Sequence, residues 1–229
     1  MRIVAICFLS LTVWAQEGTW KGAISIPGNP LEIWVTLKDG DTWSGTIAIP
    51  AQGIHDYALA DISIDGGNVG FLMPGVPGEP RFAGVMKEGR IVGTFHQGPQ
   101  VLDFHLDSSD TPPPQRPSMN LPDTPVTGTG AVGHWIGQLE AGPIKLRLAL
   151  EISQGESDLT GVMDSMDQNA KLKMNDIKLD GDHFSFAIGQ VNGSYTGVMK
   201  SDGSAIEGTW TQMGNSSPLV FHRLNEAPK

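Results

Sequence analysis

Along residues 31–37 the side chains alternate with a period of two. Leu31, Ile33, Val35 and Leu37 point one way, and Glu32, Trp34 and Thr36 point the other. Residues 144–152 repeat the pattern, with Ile144, Leu146, Leu148, Leu150 and Ile152 on one face and Lys145, Arg147 and Glu151 on the other. Such alternation marks strands with one buried face. Similar runs recur about every ten residues, separated by "KDGD", "DGGN", "LDGD" and "SDGS", whose Asp-Gly pairs suit tight hairpins because they tolerate positive φ. The spacing predicts eight strands per half in an antiparallel meander, and eight strands can close into a barrel that hides their edges.

The two halves are copies of one unit. "IVGTFHQ" (91–97) and "IEGTWTQ" (206–212) share Ile, Gly, Thr and Gln, with an aromatic residue at the fifth position. "GTWKG" (18–22) faces "GHWIG" (133–137), and "DISIDGGNVGFLM" (61–73) faces "DIKLDGDHFSFAI" (176–188). "FAGVMK" (82–87) faces "YTGVMK" (195–200), "LEIWVTL" (31–37) faces "IKLRLAL" (144–150), and "LDFHL" (102–106) faces "LVFHR" (219–223). Self-similarity of this extent indicates a duplicated structural unit. Between the copies lies "DTPPPQRPSMNLPDTPVTGTG", too poor in large apolar residues to order itself and stiffened by its prolines. The expected layout is a signal peptide over 1–15, a barrel over 16–107, a Pro-rich linker over 108–132, a second barrel over 133–224 and a tail over 225–229. The fold class is all-β, two tandem antiparallel meander barrels.

Glycines fall on the inward face of four strands per copy: Gly22, Gly45, Gly84 and Gly93, then Gly137, Gly161, Gly197 and Gly208. Glycine within a strand makes room for a bend or a neighbouring ring. The rings expected inside are Trp20, Phe95, Trp135 and Trp210.

A Gly-x-Trp opening an eight-stranded meander resembles the lipocalin and streptavidin type of barrel. The second copy, through "MDSMDQNA", "LDGDHFSF", "NGSYTGVMKSDGSAIEGTWTQ" and "SSPLVFHR", resembles the β-rich domain that precedes α/β-hydrolase domains of the serine aminopeptidase type in secreted bacterial proteins. The resemblance implies a non-catalytic accessory domain and brings no active residues. The chain contains no G-x-S-x-G nucleophile elbow; "GESDL" (155–159) lacks the final Gly.

The N-terminus changes the picture of where this fold works. Arg2, the apolar run from Ile3 to Val13 and Val13-Trp14-Ala15 form the pattern of a secretory signal, with the mature chain starting at Gln16. The run is shorter than the ~20 residues a membrane span needs. Cys7 is the only cysteine and leaves with the signal, so stability must come from the cores alone. Removing Arg2 leaves 14 Lys+Arg against 25 Asp+Glu, a balance of −11, which disfavours nucleic acid and anionic membranes as partners.

Candidate chemistry is sparse. The six histidines fall into no metal-binding spacing, and no cofactor or metal is expected. His105 and His222 read as repeat equivalents on the outward face of the closing strand. Asp164, Asp167 and Gln168 cluster carboxylate and amide oxygens that could meet calcium or cap a turn, although the D-x-D-x-D-G order is absent. Trp34 is the one exposed-Trp candidate, placed to stack on a sugar or dock the other barrel. Three functions fit: a secreted, non-enzymatic binding protein with a protein or small-molecule partner, an accessory region of a split or truncated secreted serine hydrolase, and a lipocalin-like carrier of an apolar molecule. The third requires a hollow barrel, whereas eight short strands are expected to be packed by their own side chains.

Overall fold

A computed structural model describes residues 17–228. The signal peptide, Cys7 and the expected start at Gln16 lie outside the described residues. The first sheet comprises β1 (Gly18–Ile24), β2 (Leu31–Lys38), β3 (Ser44–Ile49), β4 (Ile54–Ala58), β5 (Ala60–Asp65), β6 (Asn68–Leu72), β7 (Arg81–Lys87), β8 (Arg90–Gln97) and β9 (Gln100–Ser109). The second comprises β10 (Gly133–Ala141), β11 (Ile144–Gln154), β12 (Leu159–Ser165), β13 (Ala170–Lys173), β14 (Asn175–Asp180), β15 (His183–Ile188), β16 (Gly193–Met199), β17 (Ala205–Gln212) and β18 (Asn215–Leu224). Helical structure is confined to three single 3-10 turns among the described residues.

Each sheet is an antiparallel meander in which the first strand pairs with the last, and the two edges are its fourth and fifth strands. Only Leu59 separates β4 from β5, and only Met174 separates β13 from β14. The two edges of a sheet cannot be one residue apart unless the sheet curls round to bring them together. The corner residues make the junction: Leu59 N–H donates to Gly45 O (2.9 Å) and Met174 N–H to Gly161 O (3.0 Å). Nine elements per barrel thus replace the expected eight, because one strand of the sequence pattern breaks at a corner and leaves one edge for the other. Asp61 and Asp176, both at positive φ, follow the corners where the β5–β6 and β14–β15 ladders shift register.

Register corrects two of the repeat alignments. Trp20 pairs with Val35 and Trp135 with Leu150, so Val35 corresponds to Leu150 and Trp34 to Ala149, two positions from the sequence alignment. Gly93 pairs with Phe104 and Gly208 with Leu219, which shifts the closing strand likewise. His105 therefore corresponds to Val220 and His222 to Asp107; the histidines are not equivalents. A slip of two leaves every side chain on its expected face, so the hydrophobic pattern does not reveal it. The two-residue hairpins Gly98-Pro99 and Met213-Gly214 set the register instead.

The chain divides into two compact units. One runs up to Ile47 and resumes over Ala58–Pro113, and the other joins Ala48–Tyr57 to the chain from Pro114 onward. Aromatic residues fill the barrels. Phe82 stacks on Phe71 (4.7 Å between centroids) and meets Phe104 edge-on (5.2 Å). In the second barrel Phe186 stacks on Tyr195 (5.4 Å), which meets Phe221 edge-on (5.2 Å). Trp20, Trp135, Trp210 and Phe95 are buried as expected.

Two glycines in the second barrel are sockets for rings. A Cβ on Gly208 would lie 2.7 Å from Tyr195 Cζ, and one on Gly193 would run into the Trp210 ring. Gly22, Gly93 and Gly208 also let backbones approach, since their Cβ atoms would strike the His105, Ala83 and Thr196 carbonyls.

Candidate functional site

Asp164, Asp167 and Gln168 are brought together where β12 ends in the 3-10 turn Met166–Gln168. Their polar atoms serve the fold. Both Asp167 oxygens are engaged by Arg147 of β11: Oδ1 accepts from Nε (2.9 Å) and Nη2 (2.7 Å), and Oδ2 from the Arg147 backbone N–H (2.7 Å). Gln168 Oε1 accepts from Ser165 Oγ (2.7 Å). Asp164 is half-buried on β12, between Ala149 and Lys171. The turn carries no side-chain cap; it is pinned to β11 through the Arg147–Asp167 pair, in which Asp167 accepts three hydrogen bonds.

Trp34 overturns the expectation of an exposed tryptophan, being 4% accessible. Its indole N–H donates to Glu32 Oε1 (3.3 Å), and Lys21 Nζ lies 4.6 Å from the ring centroid while pairing with Glu32 (2.9 Å). The ring, ammonium and carboxylate satisfy one another on neighbouring strands. His105 and His222 are half-buried rather than solvent-facing. Burial holds the His222 imidazole below its ordinary pKa, nearby Lys200 acts in the same direction and Glu207 opposes them.

Sequence reasoning missed Arg223, which is 7% exposed. Its guanidinium donates to three carbonyls, Gly203 (2.6 Å), Val132 (3.0 Å) and Gly130 (2.5 Å), and lies 4.1 Å over the Trp135 ring. Burial depresses its pKa. Gly128 N–H adds a bond to Asp202 O (3.0 Å), so the last residues of the expected linker are held against the second barrel. At its other end β9 extends through Ser109, and Pro114 O meets His55 Nδ1 (3.0 Å). The sequence signal was an Arg on the buried face of a strand whose copy carries Ser108 there, visible only in the correct register. Trp135 N–H donates to Ala131 O (2.9 Å), whereas Trp20 N–H has no partner.

The outer faces carry concavities. On the second barrel a groove of about 530 Å³ crosses the paired glycines Gly197 and Gly208 and is lined by Lys178, Asp180, His183, Thr196, Val198 and Glu207. Tyr195 is buried behind Gly197 and Gly208. Its hydroxyl lies within hydrogen-bond reach of Ile206 O (3.1 Å) and Leu219 O (3.0 Å), and burial pushes the phenol well above its usual pKa. Another concavity, of about 410 Å³, lies on the first barrel around Val92, Asp103 and His105. Among the described residues no three His, Cys, Asp or Glu side chains gather in a metal-binding group, and no helix is long and apolar enough to cross a membrane.

No family model matches the chain, and no curated protein shows significant sequence similarity to it. Among solved structures, one similar chain is a protein of unknown function from the DUF3598 family of Nostoc punctiforme, 15% identical, with a TM-score of 0.26 over 91% of this chain and 96% of that one. Another is the apo haemoglobin receptor HpuA of Kingella denitrificans, 12% identical, with a TM-score of 0.30 over 91% of this chain and 86% of that one.

Proposed function

We propose that the protein is an exported, non-enzymatic binding protein that recognises its partner on the outer faces of its barrels. The observation that carries this reading is the filled interior. In the second barrel Phe184, Phe186, Tyr195, Trp210 and Phe221 pack into one cluster with Leu148, Leu150, Ile206 and Leu219, and the Tyr195 hydroxyl is tied to two strands at its centre. A carrier of an apolar molecule needs that space, so the lipocalin-like alternative loses its support. The groove over Gly197 and Gly208 offers donors, acceptors and an exposed Val198 on a rigid sheet, which suits recognition of a polar ligand. An accessory role beside a serine hydrolase is one form this binding could take; it draws on the sequence resemblance of the second copy, whose quoted segments lie from β12 to β18.

Isotope-labelled mature protein, titrated with saccharides, peptides and an apolar fluorophore, tests the reading by amide and methyl chemical shifts. Saturable shifts at Thr196, Val198 and Glu207, with Phe186 and Trp210 unmoved, are expected for at least one polar class. Stoichiometric entry of the fluorophore, with shifts at Phe186, Tyr195 and Trp210, would reinstate the carrier.

A further inference from the structure

We infer that the cleft where the linker and the C-terminal tail meet the second barrel is a binding site for a free apolar α-amino acid. Residues 114–128 belong to the same compact unit as that barrel. They are tied at one end where Pro114 O meets His55 Nδ1 (3.0 Å), and at the other by Gly128 N–H, which donates to Asp202 O (3.0 Å). Between this strap, the tail and the sheet lies a cavity of about 370 Å³. That is near the small end of the roughly 300–1,000 Å³ of ligand pockets. It is separate from the groove over Gly197 and Gly208 and shares no residue with it.

The floor of the cavity is apolar. Ile136 and Leu224 point outward from β10 and β18, where the first barrel carries Lys21 and Ser109. Leu121 of the linker and Met166 of the 3-10 turn extend the apolar wall. Ile136 is only 2% exposed, so packing under the linker accounts for its apolar character. Packing does not account for the space left beside it, or for the charged groups that border that space.

Arg147 supplies the first of these groups. Asp167 Oδ1 accepts from its Nε (2.9 Å) and Nη2 (2.7 Å), which occupies the side edge of the guanidinium. The end edge, made of Nη1 and the second Nη2 hydrogen, has no acceptor among the described residues, and Arg147 lines the cavity. A guanidinium fixed along one edge by a carboxylate is pre-organised to take a second carboxylate bidentately along the other. In the first barrel Glu32 stands at the equivalent position, so the second barrel alone offers this fork. Asp167 already balances the charge of Arg147, and a ligand that is simply an anion would meet Glu226, which lines the same cavity from the tail and has no ion-pair partner among the described residues. The ligand that satisfies every group carries a carboxylate for Arg147, an ammonium for Glu226 and an apolar side chain for the floor. A free amino acid of about the size of leucine or methionine has all three, whereas either end of a peptide has only one of the two charges.

Isotope-labelled mature protein titrated with L-leucine to about 10 mM, a range set by the weak binding of so small a ligand, reads this out. Saturable shifts are expected at the methyl groups of Ile136, Met166 and Leu224 and at Arg147 Nε. Thr196, Val198 and Glu207 should stay unmoved, so this site and the groove are scored on different resonances. N-acetylleucine and leucinamide, each lacking one charge, should bind at least about fivefold more weakly than leucine. Glu226→Gln lies on the exposed tail and should melt as the wild type does while weakening leucine binding about three- to tenfold. Arg147→Lys keeps a cation beside Asp167 but loses the fork, and should weaken binding at least about tenfold. Absence of saturable shifts at Ile136 and Met166 overturns the proposal. So does N-acetylleucine or leucinamide binding as tightly as leucine, or undiminished binding by Glu226→Gln.

Discussion

Replacing Gly208 with Val tests whether the second barrel is packed to capacity. The new Cβ would sit 2.6 Å from Gly197 Cα and 2.7 Å from Tyr195 Cζ, and closer still to the Thr196 carbonyl. Backbone atoms on the facing strand cannot retreat without opening the β16–β17 ladder, so both the ladder and the Tyr195 ring must give. Moving the ring pulls the hydroxyl from Ile206 O and Leu219 O. Overpacking of a tight core costs about 1–3 kcal/mol, and a buried polar group deprived of its partner costs about 1–3 kcal/mol more. The expected loss is thus about 2–6 kcal/mol, a fall in melting temperature of roughly 10–30 °C for a unit of this size. Near-UV circular dichroism follows the Tyr and Trp signals as the second unit melts. Adding Tyr195→Leu should recover part of the loss, since the smaller side chain vacates the socket and the two changes are coupled. A Gly208→Val protein that melts within about 2 °C of the wild type would refute the packed interior, because a shift that small corresponds to only ~0.5 kcal/mol.

Other consequences can be checked separately. Arg223→Leu leaves the Gly130, Val132 and Gly203 carbonyls without their donor and should destabilise the second unit by about 3–5 kcal/mol; limited proteolysis should then cut within residues 126–132, where the wild type resists. Asp167→Asn keeps the shape of the turn but removes the charge opposite Arg147, and a loss of about 2–3 kcal/mol by urea unfolding is expected. Burial lowers the folded-state pKa of His222, so the folded protein favours the neutral ring. Its contribution is complete above the unfolded value of about 6.5 and is lost as the pH falls from there through the folded value. The melting temperature of the wild type should accordingly drop more between pH 7.5 and pH 5 than that of His222→Gln, within about that window; equal drops would show that His222 does not couple protonation to folding.

The period-two alternation of Leu31 to Leu37 and of Ile144 to Ile152, the Asp-Gly turns and the matching heptads are local properties, and they were enough to read an all-β duplicated meander from the chain. Burial of Trp20, Trp135 and Trp210 follows from the same periodicity, because a strand sends alternate residues to one face wherever it sits. Register is different. A slip of two positions preserves face, so His105 and His222 looked equivalent until the hairpins showed that Val220 and Asp107 are their counterparts. The extra strand in each barrel is hidden for a related reason: Leu59 and Met174 carry no Gly or Pro signal, and the corners exist because the closing barrel draws its two edges together. The alternation in residues 31–37 put Trp34 on the outward face, yet an outward side chain is exposed only if nothing covers it, and Lys21 and Glu32 on adjoining strands do. Arg223 shows the same limit. Composition can place a cation on a strand, but its three carbonyl acceptors come from residues 20 to 93 positions away in the chain, and only folding assembles them.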